Sequence, residues 1–371
     1  MRVVTPPAFQ QKSLVIIHLP MQVSLMIKRS CLAKPLAGSL LLLTAIESPA
    51  FAASLIGAPI FTEINQYSTL INDDPTDIYY PVVSDSNEST PIVLLLQGAL
   101  VDKADYRNYA RIVASYGFTV VIPNNQRTLS APDIPPFSGL FPEQDQVNEV
   151  LEFMALENAN SASPVAGLLD TNSLGLLGHS FGGAVGIAST QDNCFFALCT
   201  ERYSLPEELK AGIFYGTNFD IANTGNIPPI NNEVPIGLIL GTLDGVAAPA
   251  ETITTFDQLL NPPKVLIEVD GANHYGITNT DSPRDRVRST LEQAIATETI
   301  GRWSGVFLRA HVLNDSDAWD YVYTSLGDEA DGNLEVTAVP VPEPSVSVGI
   351  FLAGLLGTIA RRNRNPKVPL Q

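Results

Sequence analysis

Ser180 sits in Gly178-His179-Ser180-Phe181-Gly182, directly after the apolar run Leu174 to Leu177 and before the small residues Gly183 and Ala184. A bare G-x-S-x-G arises by chance in about one chain in ten of this length, so the flanking strand and helix start carry the reading. The turn leaves no room for side chains at Gly178 and Gly182, and it lifts the Ser180 hydroxyl above the edge of a sheet. A serine hydroxyl becomes a nucleophile only when a base takes its proton, so a histidine is required later in the chain. Beyond the first 52 residues the supply is His179, His274 and His311. His179 belongs to the turn and is expected to point away from the hydroxyl. His311 falls in an expected helix, where packing suits it. His274, in Asp270-Gly271-Ala272-Asn273-His274-Tyr275-Gly276 after the last apolar strand, is the expected base.

The elements that must position these groups follow a βαβ rhythm. Strands are expected at Ile92 to Leu96, Phe118 to Ile122, Leu174 to Leu177, Ala211 to Tyr215, Ile236 to Leu240 and Val265 to Val269. Nearly all their residues are apolar, as in a mostly parallel central sheet covered by helices on both faces. Val147, Val150, Leu151 and Met154 recur at helical spacing and predict one covering helix. Another is predicted from Ser282-Pro283, with Val287, Leu291, Ala294 and Ile295 inward. The simplest partition is a leader over 1–52, one catalytic domain over 53–325, a linker over 326–340 and a terminal signal over 341–371.

The elbow Gly178 to Gly183, with Gly241-Thr242-Leu243-Asp244 and Gly271-Ala272-Asn273-His274, resembles the α/β-hydrolase superfamily over roughly residues 75 to 311. The likeness is greatest to the branch of chlorophyllases, polyester hydrolases and dienelactone hydrolase-like proteins. That resemblance implies the α/β-hydrolase fold and an acid between nucleophile and base in chain order, which places it at Asp244 after the strand Ile236 to Leu240. Asp270 and Asp220 are rivals. It also implies an oxyanion hole from the backbone N–H groups of Phe181 and of Ala99, in Gln97-Gly98-Ala99, where many relatives carry His-Gly. Tyr106 and Tyr109 follow, with helix packing or the cleft as their alternatives. Only about twenty residues separate Tyr215 from Ile236, so no large cap domain fits there, and an open cleft would suit bulky or polymeric esters. The segment Cys194 to Leu209, with Phe195, Phe196 and Tyr203, is either a small apolar rim or a buried connector.

Both ends read as addresses. Lys28, Arg29 and Lys34 precede the apolar run Leu36 to Ile46, and Ala50-Phe51-Ala52 offers a cleavage site after Ala52, with Met21 or Met26 as alternative starts. At the other end Pro342-Glu343-Pro344, sixteen uncharged residues and then Arg361, Arg362 and Arg364 resemble the PEP-CTERM sorting tail. That resemblance implies an exosortase-type processing enzyme as partner, transient membrane contact and delivery to the cell surface or matrix; a plain membrane anchor is the alternative. The first 52 residues hold five basic and one acidic residue, and residues 345 to 371 hold four basic and none acidic. The segment between therefore keeps 12 of the 21 basic and 38 of the 39 acidic residues, a net charge of −26. Such a surface repels phosphate backbones and excludes nucleic acid as partner.

Cys194 and Cys199, in an oxidising compartment, are either bridged or two buried thiols. The acidic loops at Asp73 to Asp77 and Asn314 to Asp317 lack calcium-loop spacing, so neither a metal nor a cofactor is expected. The expected function is hydrolysis of carboxylic esters through an acyl-enzyme. A silent surface protein binding matrix polymer or a partner, and an acyltransferase using the same triad, are the alternatives.

Overall fold

The computed structural model describes residues 57–84, 88–131, 134–200, 202–221, 224–324 and 326–341. The leader, the Pro-Glu-Pro motif and the apolar tail lie outside them. Among the described residues no helix is long and apolar enough to cross a membrane.

Among the described residues the backbone forms a nine-stranded sheet in the order β1-β2-β4-β3-β7-β8-β9-β10-β11. Its strands are β1 (Ile64–Ile71), β2 (Asp74–Pro81), β3 (Thr90–Leu96), β4 (Thr119–Pro123), β7 (Leu169–His179), β8 (Leu209–Tyr215), β9 (Ile236–Gly241), β10 (Lys264–Val269) and β11 (Leu334–Val339). The six from β4 to β10 in that order run parallel, and they match the six strands expected from the sequence, β4 starting one residue after the expected Phe118. Every residue of β3, β4 and β9 is buried, because helices cover both faces and leave no wet side for polar residues. Antiparallel pairs close both ends, β1 with β2 and β2 with β4 at one, β10 with β11 at the other. A separate hairpin joins β5 (Gln126–Ala131) to β6 (Ile134–Leu140).

The helices are α1 (Arg107–Ala114), α2 (Gln146–Ala159), α3 (Phe181–Ser189), α4 (Pro249–Gln258), α5 (Gln293–Val312), α6 (Ser316–Tyr323) and α7 (Leu326–Ala330). One apolar layer joins α1, α5 and α6 to the sheet through Tyr109, Val113, Trp303, Phe307 and Tyr321. The opposite layer joins α2, α3 and α4 through Val147, Val150, Met154, Val185, Ile187 and Phe256. Between β8 and β9 the described residues hold no helix, so no cap rises over the sheet there.

Two expectations are corrected. Residues 282–292 are not helical; α5 begins at Gln293, and Val287 and Ile295 are exposed. The reason is Asp285, whose fully buried carboxylate accepts from Gly245 N, His274 N and Val287 N; those long-range bonds hold the segment as a loop. The true inner face of α5 is Ala296, Ile300, Trp303 and Phe307. Residues 326–340 are not a plain linker, because β11 completes the sheet edge. Leu334, Val336 and Ala338 turn inward against the core in alternation with exposed neighbours, the period of two that belongs to a strand.

Candidate active site

Ser180 stands between the last residue of β7 and the first of α3, at φ 54° and ψ −123°, a conformation costly for any residue with a Cβ. The surroundings enforce it. A Cβ on Gly182 would lie 2.1 Å from the carbonyl oxygen of Leu96, and one on Gly178 would lie 2.7 Å from that of Gly182. Ser180 N donates to Tyr215 O of the neighbouring strand, and Ser180 O caps the first turn of α3 by accepting from Gly183 N and Ala184 N. The side chain is thereby left at the carboxyl edge of the parallel strands, partly open to solvent.

The loop after β10 brings His274 to it. The Ser180 hydroxyl donates to His274 Nε2 at 2.8 Å, and His274 Nδ1 donates to Asp244 Oδ2 at 2.8 Å. The His274 and Asp244 side chains are almost wholly buried, at 2% and 0% exposure. Asp244 Oδ1 accepts from Val246 N and Ala247 N, so both carboxylate oxygens are committed and the side chain cannot turn. The neutral imidazole is therefore held as the Nδ1–H tautomer, with a lone pair on Nε2 facing the hydroxyl. The rivals lie elsewhere: Asp270 accepts from Thr242 Oγ1, and Asp220 accepts from Thr224 N and Gly225 N.

A second layer holds the three loops together. Gly98 N donates to the Tyr106 hydroxyl at 2.8 Å, and that hydroxyl bonds His179 Nδ1 at 2.9 Å. His179 Nε2 lies 2.9 Å from the carbonyl oxygen of His274, which can only accept, so Nε2 carries the proton and Tyr106 donates to Nδ1. Burial, with the His274 imidazole beside it, pushes His179 well below the usual histidine range and keeps it neutral. His179 thus points away from the Ser180 hydroxyl, as expected, and Tyr106 lies beneath the cleft rather than in it. Tyr109 bonds Ser304 Oγ and is a packing residue. Asp285, which holds the backbone of His274 and Gly245, is not among the site residues expected from the sequence. Its only signal was an acidic residue close behind the base.

The turn after β3 has an ordered set of partners. Gly98 O accepts from Val101 N, Leu100 N donates to Leu140 O, and Ala99 O and Leu100 O both accept from the Arg284 guanidinium. From Gly98 N to Val101 N, only the Ala99 N–H takes no partner among the described residues. The other expected donor, Phe181 N, belongs to the first residue of α3, where helix N–H groups have no intrahelical acceptor. Gln97 is fully buried behind this turn; in the amide orientation its neighbours require, it donates to Pro123 O and accepts from Asn125 N.

Beside Ser180 lies an open cleft of about 250 Å³, lined in part by Phe181, Leu198, Thr217, Ile221 and Val246. Phe137, Phe141 and Phe181 stack edge-to-face in succession toward it. Cys194 and Cys199 are bridged, with Cα atoms 5.4 Å apart. The segment after Cys194 is mainly a connector: Tyr203 is buried and bonds Ser189 O, and Phe195 packs on Phe219, while Phe196 is 80% exposed. His311 packs among Phe307, Trp319 and Tyr323, and burial pushes it down to about 3. Asp315, from the second acidic loop, caps α6 and pairs with Arg309.

A mostly parallel sheet, helices on both faces and a strand-turn-helix elbow carrying a serine define the α/β-hydrolase fold. Residues 66–200 match the model of a family described as PETase, PET hydrolase-like, so this chain is similar to ester-cleaving hydrolases over that span. The match takes in Ala99, Ser180 and Phe181 and stops short of Asp244 and His274. No curated protein matches the chain.

Proposed function

We propose that this chain is an exported serine hydrolase that cleaves carboxylic esters through an acyl-enzyme. The observation that carries the reading is the unbroken line from Ser180 Oγ through His274 to Asp244, with both bonds at 2.8 Å. As Ser180 Oγ attacks the ester carbonyl, His274 Nε2 takes its proton, and Asp244 steadies the imidazolium. The carbonyl oxygen becomes an oxyanion that accepts from Ala99 N–H and Phe181 N–H. Collapse breaks the bond to the alcohol, which leaves with the proton held on His274. Water, deprotonated by His274, then attacks the acyl-enzyme and returns Ser180.

The open cleft with its apolar lining supports a bulky or polymeric ester as substrate, in keeping with the similarity over residues 66–200. Export rests on the basic-then-apolar leader ending at Ala52. Processing by an exosortase-type enzyme at the cell surface, with transient membrane contact, rests on Pro342-Glu343-Pro344 and the apolar, then basic, tail.

The test is Ser180→Ala assayed on p-nitrophenyl esters of rising chain length, alongside labelling by a fluorophosphonate probe. Turnover and labelling should both vanish in the variant while the fold remains; undiminished turnover would refute the assignment.

A further inference from the structure

Arg284 is exposed, ten residues after His274 on the same loop, and takes no carboxylate partner among the described residues although the chain holds 39 acidic residues against 21 basic. Its guanidinium instead spans to the turn after β3, where Nη2 donates to Ala99 O at 2.9 Å and Nη1 to Leu100 O at 3.3 Å. The group also lies over the Tyr275 ring, 5.8 Å from its centroid. A planar fork on two successive carbonyls fixes orientation in a way a single ammonium cannot.

The turn needs such a constraint. Leu100 has φ 60°, in the left-handed region that a leucine enters only under compulsion. The peptide between Ala99 and Leu100 is held at both ends, its carbonyl by Arg284 and its N–H by Leu140 O. Without the first hold that peptide would relax toward negative φ at Leu100, and the movement would pass through the Ala99 Cα to the preceding peptide, which carries the Ala99 N–H. The neighbouring residue, Asp285, meanwhile ties down His274 N and Gly245 N. Two consecutive side chains thus fix the turn after β3 on one side and the loops of Asp244 and His274 on the other.

We propose that Arg284 is a positioning residue of the oxyanion hole, holding the Ala99 amide in place by capturing the carbonyls of Ala99 and Leu100. This rests on the reading of Ala99 as an oxyanion donor. The effect belongs to the transition state, so it lowers kcat and leaves KM nearly unchanged.

The experiment compares the full chain with Arg284→Gln and Arg284→Lys on a p-nitrophenyl ester and on its thiono analogue. The analogue's C=S sulfur accepts hydrogen bonds poorly, so the rate preference for oxygen over sulfur reports the hole itself. Arg284→Gln should lose about 10-fold in kcat on the oxo ester, with KM within about twofold and the oxo-over-thiono preference falling by a similar factor. Arg284→Lys, able to reach one carbonyl, should fall between. Unchanged kcat, a change confined to KM, or equal loss on both esters would overturn the assignment; equal loss would mean that Arg284 supports only the fold. A parent chain with no turnover would overturn the functional reading together with this one, whereas an active parent beside an unimpaired Arg284→Gln overturns this one alone.

Discussion

Asparagine at position 244 keeps the shape of the carboxylate and changes what one atom offers. Val246 N and Ala247 N both donate to Asp244 Oδ1 and would keep the asparagine oxygen on their side. The amide NH₂ would then face His274 Nδ1 across 2.8 Å, where a donor already stands. In a pocket this dry two opposed donors are untenable, so the imidazole moves its proton to Nε2. That proton then points at Ser180 Oγ, and the base is lost. Fixing the wrong tautomer in a serine-histidine-aspartate site lowers kcat by about 10⁴, or about 5 kcal/mol of barrier. The assay is kcat for p-nitrophenyl butyrate at about pH 8, above the histidine range, with thermal unfolding followed by circular dichroism to show that the fold persists. Asp270→Asn is the control; its side chain serves Thr242, and activity should stay within about twofold, as for a surface substitution. The reasoning is refuted if Asp244→Asn keeps a tenth of parental activity, or if Asp270→Asn proves the more damaging.

Tyr106→Phe should cost about 2 kcal/mol of stability, because it leaves the buried Gly98 N–H and His179 Nδ1 without their partner; urea unfolding within 0.5 kcal/mol of the parent would contradict this. Burial holds His311 at about 3 in the folded chain against 6.5 when unfolded, so between these values only the unfolded chain takes the proton and stability falls as pH falls. The loss is about 2 kcal/mol by pH 5, and His179 acts in the same direction. A His311→Phe chain should show a shallower acid loss in urea titrations at pH 7 and 5, and an identical slope would rule the account out. Replacing Cys194 and Cys199 by serine should lower stability by about 2 kcal/mol through a freer unfolded chain, which the same titrations measure; no change would show the bridge to be idle.

The features legible in the sequence are the local ones. An apolar run bounded by turn residues reads as a buried strand wherever it pairs, which is why all six central strands stand where the sequence placed them. The elbow is equally local, since Gly178 and Gly182 are compelled by sterics within a few residues of Ser180 and at the adjoining strand end. His274 was marked by its place after the last apolar strand and Asp244 by the family resemblance, and the fold brings His274 to Ser180 and Asp244 to His274.

What tertiary structure alone decided depends on partners far along the chain. Ser282-Pro283 carries every local mark of a helix start, yet Asp285 bonds Gly245 N and His274 N, and those contacts outweigh local propensity. Leu334 to Val339 alternates weakly and becomes a strand because β10 offers an unpaired edge. Tyr106 meets His179, and Arg284 meets Ala99, 73 and 185 residues apart. A hydrogen bond leaves no periodicity in a sequence; it exists only once packing has brought donor and acceptor to the same place.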